Sequence, residues 1–146
     1  MSRLSRRGSP RLVFHIRLGG CGGCGDMVDR LLRDRPVTSQ RGKMHQWGLA
    51  PVVHFVECSS PRHADVVVVT GEWTEGLAGP ALAVLDQAPV SSKLVVVGDC
   101  ALGQGPFALR LKTAGSITDF AEPDLEIVGC PVAVNLLGEE LSNVTR

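Results

Sequence analysis

A doubly wound, mostly parallel α/β sheet in a single domain is what this sequence predicts, and three observations carry the prediction. Residues 65–70 and 93–97 hold unbroken valine-rich runs, Val66-Val67-Val68-Val69 and Leu94-Val95-Val96-Val97. Runs apolar at every position are the mark of strands buried on both faces, the habit of parallel sheets. Strand-like runs alternate along the chain with stretches of helical period, the order that builds crossover units. Glycine follows most of the strands, so the chain turns sharply at one end of each.

Taken in order, residues 12–18 form a first β-rich run that ends at Gly19-Gly20, and residues 51–56 form a second that leads into Cys58. The third and fourth are the two valine runs, stopped by Gly71 and Gly98, and residues 125–128 make a shorter fifth before Gly129. Between them, residues 26–33 place Met27, Val28, Leu31 and Leu32 on one helical face. Residues 75–87 gather Leu77, Ala78, Ala81, Leu82 and Leu85, and residues 132–141 gather Ala133, Leu136, Leu137 and Leu141 just after Pro131. Residues 35–48 read as an irregular polar crossover anchored by Trp47, and residues 101–124 as a long functional loop. The expected organisation is a disordered basic tail over residues 1–11, the domain over 12–142 and a short C-terminal tail over 143–146.

Composition narrows the function classes. The chain is 44% apolar and 21% charged, as folded globules are, and its 15 basic and 15 acidic residues leave no field for nucleic acid. Aromatics at 4% offer no base-stacking surface. No apolar run approaches the roughly 18 residues that span a bilayer. Ser5-Arg6-Arg7 invites comparison with a twin-arginine export signal, but His15 and Arg17 interrupt the apolar stretch that follows, so no removable leader is expected. Five widely spaced cysteines do not resemble a secreted disulfide framework; thiols in a reducing compartment are expected.

The cysteines carry the chemistry. Cys21-x2-Cys24, Cys100 and Cys130 each lie just past the end of an apolar strand, and in an open parallel sheet the carboxyl ends of the strands share one ligand-binding edge. Four thiols brought to that edge suit an iron–sulfur cluster or a structural zinc ion; for Cys21 and Cys24 alone a redox pair is the alternative. Glycines 19, 20, 22, 23 and 25 leave the backbone free to approach a bulky inorganic core. Cys58 lacks a flanking glycine and reads as a core or rim thiol. Flavin binding is disfavoured, because no Ser/Thr-rich loop follows the first strand.

Cys21-Gly22-Gly23-Cys24-Gly25-Asp26 resembles the Cys-x2-Cys-x-Glu opening of nickel–iron hydrogenase small subunits. Residues 60–71, then Val97-Gly98-Asp99-Cys100-Ala101 and Val128-Gly129-Cys130-Pro131, resemble the later segments of that family, which the 20-kDa iron–sulfur subunit of respiratory complex I shares. The resemblance covers residues 12–141. It implies a flavodoxin-like domain with Cys21, Cys24, Cys100 and Cys130 as ligands of one proximal 4Fe-4S cluster, with Asp26 and Arg62 as residues near it. It further implies an electron-transfer subunit of an oxidoreductase complex, not catalytic alone, seated against a nickel–iron hydrogenase-type large subunit. More iron–sulfur or membrane subunits are compatible, and the expected location is the cytoplasm, at the inner membrane face through partners.

The x2 spacing favours the compact small subunits of energy-converting and formate-hydrogenlyase-like hydrogenases, since complex I subunits set their first two cysteines side by side. Passage of electrons to quinone, and a zinc-stabilised interaction module, are the alternative functions. The end of the chain soon after Cys130 is expected to leave room for one cluster. Departures from the family at Glu72-Trp73, at Val132 and over residues 35–50 are expected to fall on partner surfaces.

Overall fold

The computed structural model describes residues 10–33, 53–106 and 115–146. Five strands form one sheet: β1 (Arg11–Arg17), β2 (Phe55–Glu57), β3 (Val66–Thr70), β4 (Lys93–Val97) and β5 (Leu125–Ile127). Their order is β2-β1-β3-β4-β5 and every pairing is parallel. That is the flavodoxin-like arrangement, and the strand order reverses between β1 and β3. The expected fold class therefore holds.

Three helices cover the sheet: α1 (Gly23–Arg33), α2 (Glu75–Leu85) and α3 (Val134–Val144). The valine runs explain the layering. Val66 and Val68 enter the core under α1 and α3 with Val28, Leu137 and Leu141, whereas Val67 and Val69 enter the other core with Trp73 and Ala81. A strand needed by both layers must be apolar at each position. Each such valine, fully buried, contributes about 1.5–3 kcal/mol relative to exposure. No described helix is long and apolar enough to cross a membrane.

Some boundaries differ from those expected. β1 lies one residue earlier, and β2 is a three-residue edge strand centred on Val56. α1 starts at Gly23 rather than at residue 26, because the Gly22 carbonyl accepts the Asp26 N–H at 2.9 Å and closes a turn that glycine propensity alone would not suggest. Cys24 thus sits in the first turn of a helix. The long loop expected over residues 101–124 contains a 3₁₀ turn, Ile117–Asp119, which is capped reciprocally by Ser116 and Asp119 and buries Ile117. Residues 1–9 of the basic tail expected over 1–11, and the whole polar crossover over residues 35–48 with Trp47, lie outside the described residues, whereas Arg11, expected in the tail, opens β1.

One expectation is overturned. Val132 is not on a partner surface, being 1% exposed, and neither are Glu72 and Trp73, at 1% and 0%. An antiparallel bridge between Gly19 and Glu72 draws the chain after β3 back across the end of β1, and this folds both side chains inward.

Candidate metal centre

The carboxyl ends of β1, β3, β4 and β5 converge on one cavity of about 220 Å³. Its walls include Arg17 and Leu18 at the end of β1, Thr70 and Gly71 at the end of β3, Cys100 after β4, and Gly129-Cys130-Pro131 after β5, with Cys21 to Gly25 at the start of α1. All four expected cysteines therefore face a single space. In the measure by which one water occupies about 10–15 Å³, the cavity accepts a group far larger than one ion. Among the described residues, no three Cys, His, Asp or Glu side chains are gathered closely enough to hold a single metal ion.

Local backbone chemistry explains how the thiols meet. Gly98 has φ +94°, and a Cβ there would stand 2.5 Å from Cys24 Sγ, so only glycine lets the β4 turn approach the first turn of α1. A Cβ on Gly105 would likewise stand 2.5 Å from Cys100 Sγ. Asp99 ties the remaining two loops together: Gly129 N–H donates to its Oδ1 at 2.8 Å, while the Asp99 N–H donates to the Gly129 carbonyl at 3.0 Å. The Gly23 N–H lies 3.5 Å from Cys21 Sγ, and the Cys24 thiol points to the Gly129 carbonyl at 3.9 Å.

The thiols are electrostatically expensive to ionise together. Burial pushes the Cys100 thiol up to about 11, and the Glu72 carboxylate and the other three cysteines push in the same direction. Burial also raises Cys24, with Cys130, Cys21 and Asp99 adding to it. A thiol-disulfide redox pair relies on a lowered thiol; Cys24 is shifted the opposite way. Thiolates at this site need a compensating cation among them, which is what a metal-ligand set requires.

The other expected residues divide. Asp26 is exposed, on the first turn of α1, with Oδ1 3.8 Å from Arg17 Nη1, and does not line the cavity. Arg62 is exposed in a 3₁₀ turn, Pro61–His63, also off the cavity wall. The cation on the wall is Arg17, paired with Asp29 and donating weakly to the Gly25 carbonyl at 3.4 Å. Cys58 lies away from the cavity, half-buried, its thiol donating to the Ser60 carbonyl at 3.4 Å.

Sequence reasoning missed Arg17, Thr70, Asp99 and Glu72. Arg17 had a signal, a charge near the end of an otherwise buried strand. Asp99 had one too, as a turn-forming residue between Gly98 and Cys100.

A family model described as NADH ubiquinone oxidoreductase, 20 Kd subunit, matches residues 20–143. A subunit of the F(420)H(2) dehydrogenase of Methanosarcina mazei is 36% identical over 73 residues, 50% of this chain and 40% of the relative. A probable membrane-bound hydrogenase subunit of Pyrococcus furiosus is 29% identical over 119 residues, 82% of this chain and 64% of the relative. The alignments thus span less than two thirds of either relative. Among solved structures, a chain of the membrane-bound sulfane sulfur reductase, an archaeal respiratory membrane complex, shares the fold. The TM-score is 0.67 at 16% identity, over 95% of this chain and 70% of that one.

Proposed function

The chain belongs to the NADH ubiquinone oxidoreductase 20 kDa subunit family, and from that membership we propose that it is an electron-transfer subunit of a multi-subunit oxidoreductase, holding one 4Fe-4S cluster through Cys21, Cys24, Cys100 and Cys130. One observation carries the reading: four thiols from three separated segments line one cavity. Their chemistry fits the group. Burial raises Cys24 and Cys100, and the crowded thiols would repel one another as thiolates, so the set suits a core that supplies compensating iron. A single zinc ion would need four sulfurs about 3.8 Å apart, from a Zn–S bond of about 2.3 Å. The size of the cavity favours a larger core.

Such a cluster, when bound, supplies one-electron chemistry at a low potential. The rest is the work of this chain. Gly98 and Gly105 let the backbone close around Cys24 and Cys100, and Asp99 keeps the β4 and β5 loops in register. Arg17 brings positive charge to a wall that faces four sulfurs, an arrangement that favours the more reduced, more negative state.

The partner proposed is a hydrogenase-type large subunit, as the Cys-x2-Cys spacing and the similarity to a hydrogenase subunit of Pyrococcus furiosus suggest. A second reading, transfer toward quinone, draws support from the 34% identity, over 73 residues, to a NADH-quinone oxidoreductase subunit of Clostridium beijerinckii. Nickel analysis of the co-purified large subunit separates the two.

The test of the cluster is anaerobic reconstitution with iron and sulfide. Wild-type protein is expected to bind four irons and to turn brown. Cys100→Ser and Cys130→Ser are expected to lose most of that iron, and Cys58→Ser to retain it. Zinc bound in place of iron, or full iron in Cys100→Ser, overturns the assignment.

A further inference from the structure

On the face of β1 that packs against α1, the side chain of His15 is 1% exposed and belongs to no part of the ligand set. Its Nε2 lies 2.9 Å from Thr70 Oγ1, and Thr70, itself 2% exposed, lines the thiol cavity. Its Nδ1 lies 3.6 Å from Asp29 Oδ1. Gly25 makes room for this packing: a Cβ there would stand 3.5 Å from Thr70 Oγ1 and 3.5 Å from Arg17 Nη1.

A neutral imidazole has one donor and one acceptor nitrogen. Asp29 is held ionised by Arg17, which lowers its carboxyl below the usual range, so it can only accept. The ring proton is thereby drawn to Nδ1, and Nε2 is left to accept the Thr70 hydroxyl. We propose that Thr70 and His15 form a proton-dependent hydroxyl switch on the cavity wall, in which a proton gained by His15 turns the Thr70 hydroxyl from His15 toward the group in the cavity.

The switch rests on the cluster reading above. The balance is simple. When His15 is neutral, the Thr70 hydroxyl hydrogen is spent on Nε2. When a proton from solvent joins Nε2, the new N–H donates to Oγ1, and the hydroxyl hydrogen is free for a sulfur. No covalent bond to carbon or sulfur would change; for each electron the bound group would take from a redox partner, the ring would take one proton from solvent. The charged groups acting on His15 are Arg17 on its own strand and Asp29 on α1; Asp26 and Glu57 act on Arg17 in turn, Arg33 pairs with Asp29, and β3 presents the uncharged Thr70. Burial and Arg17 together lower His15 to about 4, and extra negative charge in the cavity raises its proton affinity again. Reduction then takes up a proton, and the potential falls as pH rises between the oxidised-state and reduced-state pKa values.

Two measurements test this. Ring-nitrogen NMR of the unloaded full chain near pH 7 is expected to show neutral His15 with its proton on Nδ1; a proton on Nε2 overturns the switch. Redox titration of the reconstituted chain, followed by electron paramagnetic resonance, is expected to give a pH-dependent potential in wild type and Thr70→Ser and a clearly shallower pH dependence in Thr70→Val. A loaded wild type whose potential ignores pH, or a Thr70→Val that keeps the wild-type slope, overturns the switch alone. Wild-type protein that binds no iron overturns the cluster reading and the switch with it.

Discussion

His15 and Glu72 are both deeply buried ionisable side chains at the cavity end of the sheet, and they are treated in opposite ways. Each is about 1% exposed. His15 has Thr70 Oγ1 at hydrogen-bond distance from Nε2 and the Asp29 carboxylate 3.6 Å from Nδ1. Neither carboxyl oxygen of Glu72 has a hydrogen-bond partner among the described residues, and burial raises its pKa. The difference teaches what each site can hold. A polar group with partners becomes part of the architecture, whereas burial makes an acid without them harder to ionise.

The contrast is tested most severely by acid. His15 is lowered from 6.5 to about 4, so the unfolded chain binds the extra proton first. Its stabilising contribution is full above pH 6.5 and is lost as pH falls toward 4, an effect on the order of 3 kcal/mol. His15→Gln is expected to flatten that acid limb in denaturant titrations at several pH values. An unchanged limb would mean that His15 is not neutral in the fold.

Glu72 has the opposite sign. Its folded pKa lies above the ordinary 4.5, so its contribution is full below pH 4.5 and is lost as pH rises through the folded value. Glu72→Leu, which removes the unpartnered acid, is expected to raise stability near pH 7 by about 1–3 kcal/mol. Destabilisation by the same change would show that Glu72 has a partner. The smallest effect sharpens the comparison at its rim: Asp29→Asn weakens the hold on the His15 proton and is expected to cost about 1 kcal/mol. Chemical denaturation measures it, and a neutral result would mean that the Asp29 contacts with Arg17 and His15 add nothing to stability.

Much of this was legible because the relevant signals are local or periodic. The valine runs can be satisfied only by a strand covered on both sides, so the parallel sheet could be read from residues 66–69 and 94–97. Glycine beside Cys24 and Cys130, and two residues before Cys100, marked the turns at the strand ends. Arg62 and Asp26 are exposed and off the cavity wall; motif position says which residues lie near a turn and nothing about where a side chain points. Arg17, two residues beyond His15 on the same face of β1, occupies the cavity wall instead.

The order of residues settles the alternation of strands and helices and the edge at which the thiols gather, because backbone periodicity and glycine turns act over a few residues. It leaves open whether Glu72 and Trp73 face solvent or core. That choice follows from the Gly19–Glu72 bridge, a pairing between segments some fifty positions apart. Likewise His15 meets Thr70 and Asp29 only when β3 and α1 pack against β1, since each partner comes from a different element.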